Sequence, residues 1–152
     1  MRVLVWQWGR RGAGPRVAVE LARGFGSVPG VEVALSLSAN AEILGAPGAP
    51  RCDLPVPTYR TAVGFTGRML AAPLLVPDLA RRVRALAPDV ALCAMPGPLD
   101  LMMVAALRRV GQGAGVPFLV VVHDADVHPG DGLPLQMPCS ARCCAGRTGW
   151  WH

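Results

Sequence analysis

Short apolar runs alternate with amphipathic stretches along this chain, and each pair is punctuated by glycine or proline. RVLVW (Arg2–Trp6) is a continuous apolar run of strand length and predicts a buried strand. A glycine-rich turn, GRRGAGP (Gly9–Pro15), follows. PRVAVELARGF then sets Val17, Leu21 and Phe25 at close to helical spacing, with Pro15 in the first turn, where its missing N–H costs nothing. VEVALSLS (Val31–Ser38) alternates and predicts a second strand. Residues 45–57 are proline-rich and predict a loop with a short strand around Cys52–Val56. TAVGFTGRMLAAPLL predicts a helix interrupted by glycine and proline, and PDLARRVRAL (Pro77–Leu86) a clearer one. In the latter Leu79, Val83 and Leu86 share a face, and Pro88 closes it. DVALCAM (Asp89–Met95) predicts a third strand, and PGPLDLMMVAALRRV a turn leading into an apolar helix. Gly111–Pro117 is a loop, PFLVVVH (Pro117–His123) a further buried strand, and DADVHPGDG a polar loop at its end.

Strands alternating with helices, with apolar rather than alternating strand runs, predict an α/β fold. The expected form is a Rossmann-like parallel sheet with helices on both faces. Ligands of such sheets bind beyond the carboxyl ends of the strands. Three polar or glycine-rich turns fall there: Gly9–Pro15, Pro96–Pro98 and His123–Asp131.

Composition narrows the class. The chain has 152 residues, 52% hydrophobic and 16% charged, which suits one globular domain rather than a disordered chain. No apolar run reaches the roughly 18–20 residues that span a bilayer. The first arginines after Arg2 follow the opening apolar run instead of preceding a longer one, which predicts no export signal and a cytoplasmic protein with reduced cysteines. The formal charge is +5, and Arg142 and Arg147 carry two of those charges in a stretch without acids. The remaining arginines are scattered, which argues against a nucleic-acid footprint. The weak basic charge allows contact with the inner membrane face, although no amphipathic anchor stands out. All fifteen basic residues are arginine, and Ile43, Asn40 and Tyr59 are each single, so the gene is rich in G and C.

The turn GRRGAGP opens a helix, so its backbone N–H groups could receive a phosphate or carboxylate; the competing reading is a plain tight turn. A dinucleotide fingerprint fails because Val17 stands where the third glycine would be, and a Walker A loop fails for want of lysine. His123, Asp124, Asp126, His128 and Asp131 crowd into the last strand end and the loop after it. Histidine beside carboxylates suits acid–base work or ligand polarisation, and His123 could equally be a strand-end histidine bonded to backbone. Asp124-Ala-Asp126 as a metal motif is short and weak evidence. Arg81, Arg82 and Arg84 predict a solvated helix face, Met102 and Met103 core filler, and Cys93 a small buried apolar residue.

Three stretches together, RVLVWQWGRRGAGPRVAVELARGF, PDVALCAMPGPLDLMMVAALRRVG and VPFLVVVHDADVHPGDG, resemble the N-terminal half of family 4-like glycosyltransferases. The resemblance covers residues 1–137. It implies one lobe of a GT-B fold, the acceptor-side lobe, facing a second Rossmann-like lobe that holds a nucleotide-sugar. It further implies transfer to a glycan or lipid-linked acceptor with retained anomeric configuration, no bound metal, no cofactor beyond the nucleotide-sugar substrate, and no obligate protein partner. By the same resemblance His123 is the catalytic histidine facing the cleft. Gly12 and Gly14 match the loop that approaches acceptor or donor phosphates. Met95, Gly97, Asp124 and His128 are further substrate-binding positions. The donor lobe with its glutamate-bearing motif does not follow in this sequence, so the expectation is that this polypeptide alone transfers no sugar. The alternatives are a non-catalytic sugar- or phosphate-binding module, half of a two-chain enzyme, or a truncated product without activity.

The last residues, PCSARCCAGRTGWWH (138–152), depart from the resemblance. Cys139, Cys143, Cys144 and His152 lack the paired spacing of a zinc knuckle. Loss of one base just after the codon for Met137 accounts for them better. Back-translated with G or C at free third positions and read from the third base of the Pro138 codon, the stretch becomes LQRALLRRADGLVA, an amphipathic helix running into a strand. Part of this is forced: Cys143-Cys144 must yield a leucine, Trp150-Trp151 a valine and Trp151-His152 an alanine. The expectation is a domain over residues 1–137 and an out-of-frame, unstructured tail over 138–152.

Overall fold

The computed structural model describes residues 1–110 and 115–122. Four strands and three helices alternate: β1 (Arg2–Gln7), α1 (Ala13–Gly26), β2 (Glu32–Leu37), α2 (Ala62–Leu86), β3 (Val90–Cys93), α3 (Asp100–Val110) and β4 (Phe118–Val120). The sheet is parallel throughout, in the order β2-β1-β3-β4. This is the Rossmann-like α/β arrangement that the alternating pattern predicts. The fourth strand is shorter than PFLVVVH suggests within the described residues, and His123 lies outside them.

Alternation along each strand divides the core in two. Leu4, Trp6, Trp8, Ala91 and Cys93 face α2 and α3, packing with Val76, Leu79, Val83, Met103 and Leu107. Val3, Val5, Leu35, Leu37, Leu92 and Ala94 face the other side, packing with Ala18 and Val19 of α1. β1 therefore points residues into both layers, and Leu4, Val5 and Trp6 are fully buried. An apolar run with no polar alternation is what such a two-sided strand requires.

α2 corrects the sequence expectation in one respect. The two segments predicted either side of Leu75 form one continuous helix that contains Pro73 and Pro77. Each internal proline lacks an N–H donor and crowds the preceding turn, at about 3 kcal/mol. The following turns bury Val76, Leu79 and Val83 to 3%, 4% and 0% exposure. At about 1.5–3 kcal/mol for each fully buried side chain, this offsets most or all of that cost. Thr61 caps the helix by accepting the Gly64 N–H at 3.1 Å. At the other end Ala87 takes the left-handed conformation, φ 45°, and its N–H closes on Arg84 O.

At roughly 1.5 Å per residue the 25 residues of α2 span about 37 Å, against about 20 Å for a six-residue strand. The helix runs opposite to the strands, so its first half outreaches their carboxyl edge. Val63, Leu70 and Leu74 are accordingly more than three-quarters exposed there. A second correction concerns residues 52–56. No strand forms, and only an isolated bridge joins Ser38 to Val56, because Asp53, Leu54 and Val56 donate their N–H groups to the β2 carbonyls of Leu35 and Leu37 as an irregular edge segment.

Among the described residues no helix is long and apolar enough to cross a membrane.

Candidate functional site: the carboxyl edge of the sheet

The strand order makes β1 and β3 neighbours whose following helices leave to opposite faces. A crevice opens at such a reversal, beyond the carboxyl ends of the two strands. Its walls are the turn after β1 and the turn after β3. Both contain residues singled out from sequence: Gly12 and Gly14 on one, Met95 and Gly97 on the other.

The first wall is built around Gln7, the last residue of β1, which is buried to 6%. Its Oε1 accepts the Gly9 N–H at 2.7 Å. A Cβ on Gly14 would lie 2.6 Å from Gln7 Nε2 and 2.8 Å from its Cδ, and one on Gly9 would lie 2.8 Å from the same nitrogen. Gly9 and Gly14 are therefore small because they house a glutamine. Gly12 differs. It is exposed, has φ +84°, and a Cβ there would meet nothing within 4 Å. It is the N-cap residue of α1, and no side chain caps that end. Of the two glycines expected to meet a ligand, Gly12 faces open space, while the side-chain direction of Gly14 is filled by Gln7.

The second wall is held by Asp100, the first residue of α3, at 3% exposure. Its carboxylate collects three donors: Gly97 N–H at 2.6 Å, Trp6 Nε1–H at 3.2 Å and Cys93 Sγ–H at 3.3 Å. β1, β3 and the turn between β3 and α3 are thus tied to one side chain. Burial pushes the Asp100 carboxyl up to about 6, against the pull of the three donors. Gly97 and Met95 are half-buried in that turn, and Gly97 contributes its backbone to Asp100.

His123, Asp124 and His128 lie outside the described residues, as do Asp126 and Asp131. Among the described residues no three histidine, cysteine or acidic side chains gather in a way that would hold a metal ion. Cys93 is a buried thiol in the strand, as its apolar setting suggests, and donates to Asp100. Cys52 is half-buried beside β2, where burial raises its pKa.

Sequence reasoning missed Gln7 and Asp100. A single glutamine after an apolar run carries no periodic signal, and an acid opening a helix reads as an ordinary partner of the helix dipole. It also passed over the arginines of the glycine turn. Arg10 Nη1 donates to the carbonyls of Tyr59 and Arg60 at 3.3 and 3.0 Å, and the Glu42 N–H donates to Arg10 O at 3.0 Å. These bonds lash the turn after β1 to the two loops that follow β2.

No family model and no curated protein matches the chain.

Proposed function

We propose that this chain is the acceptor-side lobe of a glycosyltransferase that moves a sugar from a nucleotide-sugar to a glycan or lipid-linked acceptor. A second lobe would hold the donor. The observation that carries the reading is the pair of turns after β1 and β3, which lie side by side at the carboxyl edge where the strand order reverses. These are the turns on which the resemblance rests. Around them the backbone is fixed by Gln7 and Asp100, as a positioning surface requires.

In this reading the lobe orients the acceptor hydroxyl. The hydroxyl oxygen bonds to the anomeric carbon as the bond from that carbon to the nucleotide phosphate breaks, and the hydroxyl proton passes to the departing phosphate. Gly12 lets the acceptor or donor phosphate approach backbone N–H groups of α1. His123, with Asp124 and His128 nearby in sequence, positions or polarises groups at the reacting centre. The phosphate that departs is stabilised from the opposite lobe, so in this reading one lobe alone transfers no sugar.

The test begins with the gene. Sequencing across the codons for Gln136–Cys139 and beyond shows whether a donor lobe follows in the restored frame. The restored product and the 152-residue chain are then assayed for nucleotide-sugar hydrolysis and sugar transfer. The expected result is transfer by the former only, reduced roughly a hundredfold by His123→Ala. A restored frame that stops within a few codons, or activity from the short chain, overturns the reading.

A further inference from the structure

Beside the crevice, on the β2 side of the same edge, three guanidinium groups line one open cleft of about 550 Å³: Arg10, Arg11 and Arg60, with Asn40 and Glu42. We infer that this cleft is a binding site for a phosphate group, carried by a small phosphate ester or by a phospholipid headgroup.

Charge is the first argument. Three arginines face one acid in the lining, which leaves two positive charges in a space that would hold a small ligand. The single acid is engaged at the rim, where Arg11 Nε meets Glu42 Oε1 at 2.5 Å and both side chains are largely exposed. Like charges gathered in this way repel unless an anion joins them.

The second argument is unfilled bonding capacity. Arg60 directs both Nε and Nη2 at one amide oxygen, Asn40 Oδ1, at 3.4 and 3.3 Å. Bonds from a charged donor are ordinarily about 2.7–2.9 Å, so this is a weak hold on a guanidinium. Arg10 Nε is shielded from solvent and has no hydrogen-bond partner among the described residues.

The third is rigidity. Arg10 is pinned through Nη1 to Tyr59 O and Arg60 O, and its own carbonyl receives the Glu42 N–H. The three loops that form the cleft are therefore joined before any ligand arrives. The ligand's chemistry follows from the donor supply. Three guanidiniums, together with the uncapped α1 terminus next to Arg11, offer more N–H groups than the two oxygens of a carboxylate can use. Three phosphate oxygens and a charge near −2 match them.

The site stands without the sugar-transfer reading. Only the further step, that the phosphate belongs to the acceptor, rests on it. The experiment uses the full chain and titrates inorganic phosphate by calorimetry, with acetate at equal ionic strength as comparison. Vesicles of phosphatidylcholine with phosphatidic acid are pelleted with and without glycerol 3-phosphate. Phosphate should bind, acetate should bind at least tenfold more weakly, and Arg11→Gln/Arg60→Gln should weaken phosphate at least tenfold at unchanged melting temperature. Glu42→Gln, which removes the one acid, should tighten it several-fold, and Arg23→Gln, at the far end of α1, should leave it unchanged. Vesicle pelleting lost in the double variant assigns a lipid headgroup, and phosphate binding without pelleting assigns a soluble ester. Equal binding of phosphate by the unmutated chain and the double variant, or equal binding of acetate, overturns the site. Phosphate binding by a chain whose restored frame transfers no sugar overturns the transferase reading and leaves the site standing.

Discussion

Asp100 gives the sharpest test of the carboxyl edge. Its carboxyl is 3% exposed and titrates near 6 instead of the ordinary 3.8 because burial disfavours the charge. Between those two values the folded chain holds a proton that the unfolded chain has released. The folded state is therefore favoured below pH 3.8, and that advantage is lost as pH rises through about 6. A difference of about two pH units corresponds to about 3 kcal/mol. The perturbation is Asp100→Asn, which keeps one acceptor oxygen and removes the titration. Chemical denaturation of both proteins at half-unit steps from pH 3.5 to 7.5 gives two stability curves, and their difference isolates Asp100 from every other acid. The unmutated protein should lose about 2 kcal/mol relative to the variant between pH 4 and 6.5, most of the full difference. The variant carries its own penalty, since its amide NH2 must sit among the N–H and S–H groups of Gly97, Trp6 and Cys93, but that offset does not change with pH. A flat difference curve would refute the account, because the three donors would then balance burial and leave the carboxyl at its ordinary value. A difference with the opposite slope would show that they depress its pKa.

Two predictions concern backbone positions. Gly14→Ala should destabilise by about 1–3 kcal/mol, since the new Cβ drives the Gln7 amide from the Gly9 N–H. In a Gln7→Ala background the same change should be neutral or slightly favourable, so a double-mutant cycle by urea denaturation should give a coupling of about 2 kcal/mol, and additive effects would show that Gln7 is not the reason for the glycine. Ala87→Gly should stabilise by about 0.5–1 kcal/mol, because Ala87 is exposed at φ 45° and glycine meets no Cβ penalty there. An unchanged or lower melting temperature would mean that the left-handed cap is not strained.

The parallel sheet was legible in the sequence because burial on both faces forces continuous apolar runs, and RVLVW and DVALC have no other economical use. The continuity of α2 was not. Proline within a helical pattern is a local signal for a break, and what overrides it is tertiary: Val76, Leu79 and Val83 gain their burial only if the helix reaches the sheet at the right angle. The strand expected over Cys52–Val56 fails for a related reason. Its alternation is real, but Pro55 and Pro57 flank the one bridging residue and remove donors from any ladder.

The glycine turn opens α1 where the sequence places it, but its glycines are not equivalent. A run of small residues at a strand's carboxyl end signals close approach, yet not of what. At Gly9 and Gly14 the approaching group is the chain's own Gln7, and only Gly12 faces outward. The arginines between them escaped notice because nothing in GRRGAGP indicates that Arg10 will meet the carbonyls of Tyr59 and Arg60, fifty residues on. Their convergence is created by the β2 crossover, which returns residues 39–60 over the edge beside β1. Sequence periodicity can therefore find the edge on which a ligand would sit, since it fixes strand direction. It cannot find the charge on that edge, since the charge is assembled by loops whose meeting is a property of strand order. For this chain the polar chemistry worth testing lies in that second category: Asp100 between two strands, and three arginines between three loops.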